Sequence, residues 1–281
     1  MFDNFVLKEK PVKIAGYSWA LENPDYVVCL IHGIGKYAGR YDKRVAAAFN
    51  KENIAMLALD LRGHGLSGGK RGDTAPRKEV LEDIDTLVRY AQKLYPGKPI
   101  IMYGHSMGGN ITLDYRLRGE LSAIAAAYII SAPWVRLYKQ YPAPVVGLMK
   151  LMSKLAPTAL IPIGIEPSVL GNPKCVGEYY KDPLVHKNIT ARCAVEGYFI
   201  GQALEKNELK GNEGGRKKPL LLMHGDNDKI CSVEGSRSIA AFEKNCTYVE
   251  WPGLSHEIHN GGGESTGDEV IARMVEFIKS L

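Results

Sequence analysis

The chain has 281 residues, of which 45% are hydrophobic and 24% are charged, and its formal net charge is +5. These proportions are typical of globular proteins and exclude a disordered or collagen-like chain. The positive charge is small and dispersed, so it does not predict a nucleic-acid partner, although it would not repel an anionic lipid surface.

Cysteine usage and the N-terminal segment indicate a compartment. The first residues lack the basic and apolar regions of a signal peptide, and no apolar run approaches the roughly 20 residues of a membrane helix. The five cysteines form no C-x-x-C pair. An odd number without that spacing favours a reducing environment, so we expect a cytoplasmic protein with no disulfide framework and no metal site.

Short apolar runs typical of buried strands alternate with segments of helical period. The first 25 residues alternate weakly and predict an antiparallel hairpin at one sheet edge. The predicted strands that follow lie at 26–31, 54–59, 99–103, 124–130, 219–224 and 247–251. Apolar stripes at 80–94 and 270–278 predict amphipathic helices. This order predicts the α/β class, with a mostly parallel central sheet flanked by helices.

The alternation stops between residues 134 and 213. Seven prolines there punctuate short apolar helices such as 145–155, and no strand is predicted. We interpret 134–213 as a helical cap inserted between two parts of one core, 1–133 and 214–281. Its apolar composition suits a single acyl chain, and such a cap is compatible with transient contact with a membrane surface.

The strongest motif is the G-x-S-x-G sequence around Ser106, which follows a predicted strand and opens a predicted helix. A serine on such a turn needs small neighbours two residues away, and Gly104 and Gly108 meet that need. The turn places the Ser106 hydroxyl at a helix N-terminus, where the amide of Met107 can stabilise an oxyanion. The sequence therefore predicts a serine nucleophile.

A serine nucleophile needs a histidine base and a carboxylate that orients it. In this fold type the chain order is Ser, Asp, His. The loop after the strand at 219–224 carries Asp226 and Asp228, and the loop after the next strand ends in His256. Both loops leave carboxyl ends of strands, on the same side as Ser106. We favour Asp228, while Asp226 remains the rival carboxylate that instead caps the turn.

A second oxyanion amide is expected from the loop after an early strand, where His32-Gly33-Ile34-Gly35 assigns it to Ile34. The same loop mimics a dinucleotide fingerprint, but bulky residues from Lys36 onward argue against that interpretation. His256-Glu257-Ile258-His259 falls one residue short of the zinc pattern. We interpret His224 as a core histidine, and Cys231 either packs silently or lines the pocket near Asp228.

With these motifs the chain resembles α/β-hydrolases of the monoacylglycerol lipase and lysophospholipase group, the serine-aminopeptidase-like branch. The matching segments are 32–41, 60–67, 104–109, 182–184, 224–228 and 253–256. The resemblance implies Ser106, Asp228 and His256 as a triad. It also implies the Ile34 and Met107 amides as the oxyanion hole, and a lid over an acyl tunnel.

The sequence thus predicts a serine ester hydrolase that needs no cofactor and acts on a small acyl ester, best a single-chain lipid such as a monoacylglycerol or lysophospholipid. Its oligomeric state is not predicted. Two alternatives share the fold, namely an esterase for small esters and an aminopeptidase. A non-catalytic binding protein is a third alternative, which has no use for an intact Ser, Asp and His.

Overall fold

The computed structural model describes residues 2–211 and 213–281, and an eight-stranded sheet forms its centre. The sheet has the order β1-β2-β4-β3-β5-β6-β9-β10. Its strands are β1 (Asp3–Lys8), β2 (Ile14–Trp19), β3 (Tyr26–Ile31), β4 (Ile54–Leu59), β5 (Ile100–His105), β6 (Ala127–Ser131), β9 (Leu220–Gly225) and β10 (Cys246–Trp251). From β4 to β10 all neighbours are parallel, whereas β1 and β2 form the antiparallel edge. The predicted hairpin and parallel sheet are confirmed.

Helices cover both faces of the sheet. They are α1 (Ala47–Lys51), α2 (Arg77–Leu94), α3 (Met107–Arg118), α4 (Ala143–Leu155), α5 (Pro173–Val176), α6 (Ala191–Glu205), α7 (Glu213–Arg216), α8 (Val233–Phe242) and α9 (Asp268–Lys279). Alternate residues of β3 enter two separate cores: Cys29 packs with the stripe of α2, and Leu30 packs with that of α9. Burial on both faces explains why the strands are apolar throughout.

The chain between β6 and β9 departs from the sequence prediction in one respect. No strand was expected there, yet β7 (Leu160–Pro162) pairs antiparallel with β8 (Asn188–Thr190). Strands of three residues are too short to show an alternating pattern, and their partners lie far apart in sequence. The division into 1–133, 134–213 and 214–281 stays a prediction.

The helices of this region differ in how they pack. α4 has no buried residue, whereas α6 packs against α3 and α8 and buries Gly197 against Trp134. Within residues 2–211 and 213–281, no helix has both the length and the apolar character needed to cross a membrane.

Candidate active site

Ser106 lies on a sharp turn between β5 and α3. Its backbone has φ 58° and ψ −121°, a conformation that costs energy for any residue with a side chain. A Cβ atom on Gly104 would lie 2.4 Å from Thr112 Oγ1, and one on Gly108 would lie 2.0 Å from the carbonyl oxygen of Ile31. Only glycine fits at these two positions, as the motif predicts.

The hydroxyl of Ser106 begins a chain of two hydrogen bonds. His256 Nε2 lies 2.8 Å from Ser106 Oγ, and His256 Nδ1 lies 2.7 Å from Asp228 Oδ2. All three residues are buried. Because a carboxylate only accepts, His256 Nδ1 carries the proton, which leaves Nε2 to accept from the serine hydroxyl. The arrangement places a base beside a nucleophile and a carboxylate behind the base.

The two rival aspartates have different surroundings. Asp228 is buried, and its Oδ1 accepts hydrogen bonds from the amides of Ile230 and Cys231 at 2.7 and 2.9 Å. Burial opposes ionisation of Asp228, but electrostatic attraction to the His256 and His224 imidazoles and their hydrogen bonds outweigh burial and lower the pKa of Asp228 below its ordinary value. Asp226 is exposed and accepts from the amide of Gly253 at 2.7 Å. The structure therefore brings Asp228, and not Asp226, against His256.

The loop after β3 approaches the serine closely. A Cβ on Gly33 would lie 3.1 Å from Ser106 Cβ. Ile34 lines the same cavity as Ser106. The Met107 amide opens α3 and so has no intrahelical acceptor. His32 fixes this loop, because its Nδ1 donates to the Gly33 carbonyl at 2.8 Å and its Nε2 accepts from the Leu61 amide at 3.0 Å.

A largely apolar cavity of about 580 Å³ opens at Ser106. Its wall combines residues of the core loops with residues of the segment between β6 and β9, among them Met149, Ile161, Ile163, Ile189 and Ala194. Cys231 also lines this cavity, as one of the two sequence interpretations expected. Such a volume, with one polar end, suits a single apolar chain.

A second cavity, of about 410 Å³, is polar. Its lining includes Lys36, two residues after Ile34, and Glu257, next to His256. Lys36 and Glu257 form a buried ion pair there, and Asn260 donates to the other Glu257 oxygen at 2.6 Å. Burial opposes ionisation of Glu257, but Lys36 lowers its pKa to about 2. The two residues are 221 positions apart in the sequence, so no local sequence pattern predicts this ion pair.

The remaining histidines have structural surroundings. His105 lies behind Ser106, where its Nδ1 is 3.0 Å from the Ser131 hydroxyl, and burial lowers its pKa well below the usual value. His64 packs against His186, with ring centroids 4.5 Å apart. His224 is a buried histidine with partners at both ring nitrogens, as the sequence predicts, and one of these partners is Asp228 Oδ2, 3.1 Å from Nε2.

One group of side chains has ligand types that metals use. Possible ligand atoms of Asp228, Cys231 and His256 lie within 4.8 Å of one another. Asp228 and His256 already share a hydrogen bond, and burial beside Asp228 raises the pKa of the Cys231 thiol well above its usual value. A thiol that resists ionisation is a poor metal ligand, so we assign no metal to this group.

Comparison with known proteins identifies similar sequences. The family model Hydrolase_4 (serine aminopeptidase, S33) matches residues 22–262. A monoacylglycerol lipase of Mycolicibacterium smegmatis is 35% identical over 243 residues, which are 85% of this chain and 83% of that protein. The monoglyceride lipase of Homo sapiens is 28% identical, over 84% of this chain and 77% of its own.

Solved structures resemble the whole chain. The monoacylglycerol lipase of Paleococcus ferrophilus is 28% identical with a TM-score of 0.79, and covers 96% of this chain and 98% of its own. A soluble variant of the monoglyceride lipase of Saccharomyces cerevisiae, solved with a substrate analogue, is 23% identical with a TM-score of 0.81. It covers 100% of this chain and 94% of its own. The predicted α/β-hydrolase fold is confirmed.

Proposed function

Because the chain belongs to the Hydrolase_4 family (serine aminopeptidase, S33) and is an ester hydrolase, we propose that it cleaves monoacylglycerols through an acyl-enzyme formed on Ser106. The observation that carries this proposal is the Ser106–His256–Asp228 hydrogen-bond chain at the end of an apolar cavity. Similarity to lipases that act on monoacylglycerols supports the same substrate class.

The proposed mechanism follows from the geometry. His256 Nε2 takes the proton of Ser106 as Oγ attacks the ester carbonyl carbon. The negative charge that develops on the carbonyl oxygen is stabilised by the amides of Ile34 and Met107. Collapse of this intermediate expels the alcohol, which receives the proton from His256. Water then attacks the acyl-enzyme with His256 as base, releasing the fatty acid. Asp228 holds the imidazole and stabilises its charged form throughout.

We propose that the acyl chain of the substrate lies in the apolar cavity, which opens at Ser106. Ser106 does not line the polar cavity, and the two cavities share no lining residue, so we do not place the head group there. The preference for a monoacylglycerol over a lysophospholipid rests on the similarity to monoacylglycerol lipases.

Chain-length dependence tests the substrate proposal. Each buried CH₂ contributes about 0.8 kcal/mol, so kcat/KM should rise by more than about tenfold from acetyl to octanoyl esters of 4-nitrophenol. Ala194→Phe narrows the apolar cavity and should reduce the octanoyl-to-acetyl ratio. Fatty acid should be released faster from monooctanoylglycerol than from the matching lysophosphatidylcholine. A short-chain preference, unaffected by Ala194→Phe, would instead indicate an esterase for small esters.

The aminopeptidase alternative has less support. It requires carboxylates of the predicted cap that hold the substrate amine. The candidates are Glu166, Glu178, Asp182 and Glu196, of which only Glu166 lines the apolar cavity at Ser106. The other three are engaged elsewhere: Glu178 with Lys181, Asp182 with Tyr37, and Glu196 with the Arg77 amide. Rapid release of the arylamine from an aminoacyl arylamide, by a protein that cleaves esters slowly, would reverse this ranking. Failure of Ser106 to react with a fluorophosphonate would favour the non-catalytic alternative.

We also propose that α4 contacts lipid surfaces transiently. Leu148, Leu151 and Leu155 follow helical spacing on one face and are 58%, 51% and 77% exposed. An exposed apolar stripe of this kind on a helix is typical of interfacial binding. It lies on the helix that also supplies Met149 to the acyl cavity.

Sedimentation with phosphatidylglycerol vesicles tests this contact. The protein should sediment with the vesicles, and the double variant Leu148→Ser/Leu151→Ser should bind at least about tenfold more weakly, because burying each leucine contributes roughly 1.5–3 kcal/mol. Leu94→Ser, at an exposed leucine on α2, is the matched control. Equal binding by all three proteins would contradict the proposal.

A further inference from the structure

His224 lies in β9 and is fully buried beside the proposed triad. Its Nε2 is 3.1 Å from Asp228 Oδ2, the same oxygen that lies 2.7 Å from His256 Nδ1. The mechanism proposed above does not use His224, and the sequence suggested only a core residue. Its contact with the carboxylate therefore needs an explanation.

The surroundings of His224 fix where its proton lies. Nε2 faces two acceptors, Asp228 Oδ2 and the Cys231 carbonyl oxygen at 3.3 Å, so Nε2 carries the proton. Nδ1 lies 2.7 Å from the hydroxyl of the buried Ser236, so both ring nitrogens have a partner. The imidazole therefore donates from Nε2 to the carboxylate, while Ser236 holds the other side of the ring.

The Asp228 carboxylate thus has four donors. Oδ1 accepts hydrogen bonds from the amides of Ile230 and Cys231, and Oδ2 accepts them from His256 and His224. The three donors other than His256 fix the plane of the carboxylate, and with it the direction in which it presents Oδ2 to His256. His224 also withdraws part of the negative charge from Oδ2, so less of that charge stabilises a protonated His256. Other titratable groups also face His256, namely His105, with ring centroids 5.0 Å apart, and the Cys231 thiol, and substitution of His224 changes neither.

We propose that His224 is a positioning residue for ester hydrolysis: it holds Asp228 in the orientation that His256 requires and limits how easily His256 is protonated. The inference rests on the proposed function, in which His256 is the base. Without His224, the carboxylate turns more freely and its full charge favours the imidazolium. Protonated His256 cannot accept the Ser106 proton, so the acid limb of the pH profile should move to higher pH.

Three variants test this proposal on the full chain with 4-nitrophenyl octanoate. His224→Leu removes the donor and should lower kcat by about 10- to 100-fold, with KM changed less than about twofold. Its acid limb in kcat/KM should lie at higher pH than that of the wild type. His224→Gln supplies a side-chain N–H at a similar reach and should restore most of kcat and the original acid limb. Ser236→Ala leaves the donor in place and should cost less than His224→Leu.

Each result supports or overturns the positioning role of His224. Wild-type kcat and an unmoved acid limb in His224→Leu would overturn the positioning role while leaving the proposed function intact. If His224→Leu does not fold, His224→Gln decides: kcat near that of the wild type supports the positioning role, because glutamine keeps the donor without the shape of the imidazole. A loss of kcat by about 10- to 100-fold in His224→Gln would indicate that the packing of the imidazole alone matters and would overturn the role. A wild-type protein without ester hydrolase activity would overturn both proposals.

Discussion

Replacing Ser106 with alanine is expected to lower kcat for ester hydrolysis by about 10⁵- to 10⁶-fold, because the nucleophile and its hydrogen bond to His256 are lost together. The oxyanion amides and the cavity remain, so a small residual rate above that of water should persist. Initial rates on 4-nitrophenyl octanoate measure this loss, and an unchanged melting temperature shows that the fold survives.

Ser255→Ala serves as the matched control for this loss. Ser255 is also a buried serine of the site region, next to His256, but it lies outside the Ser106–His256–Asp228 chain. Its alanine variant should retain activity within about threefold. If Ser106→Ala kept a tenth of the wild-type rate, the hydrolysis would have to arise at another residue and the acyl-enzyme proposal would fail.

The second large effect is expected at Asp228. Asp228→Asn removes the charge that stabilises the imidazolium and allows the wrong tautomer of His256, so kcat should fall by about 10⁴-fold. The change should appear at every pH at which the enzyme is assayed. Since the pKa of Asp228 lies below its ordinary value, its own protonation does not produce the acid limb.

The neighbouring Asp226→Asn variant provides the comparison. Asp226 is exposed, and its carboxylate accepts a hydrogen bond from the Gly253 amide. The side-chain carbonyl oxygen of an asparagine could accept the same bond. We expect activity within about threefold of wild type. The assignment would be refuted by the opposite ranking, with the greater loss in Asp226→Asn.

Sequence information was sufficient for the parts of the site that depend on strand ends. The glycines that the turn needs predict Ser106, and the position of His256 after a strand predicts the base. The carboxyl ends of parallel strands meet at one edge, so the order of the strands along the chain already brings these loops together. The sequence distinguishes Asp226 from Asp228 poorly, because both follow β9. In the structure they differ in burial, which the sequence does not show.

The rest depends on contacts that leave no local pattern. Lys36 and Glu257 meet across 221 residues, and β7 and β8 are too short to alternate. The position of His224 at a strand end predicts only a core histidine, because its contact with Asp228 depends on how the loop after β9 folds back. The cytoplasmic location stays a prediction, which rests on the odd number and the spacing of the cysteines and on the composition of the first residues.

The segment between β6 and β9 is joined unevenly to the core, so we expect its parts to open at different free energies. Main-chain hydrogen bonds join it to the core at His186–Gly35, Thr190–Gly72, Leu170–Glu257 and Asn172–Asn260. Two of these hold the loop that carries His256, so residues 170–172 cannot lift away without freeing that loop. In amide hydrogen exchange these amides would open only together with the base, at a high free energy. α4 buries none of its residues, so we expect its amides to exchange at a lower free energy of opening than those of residues 170–172.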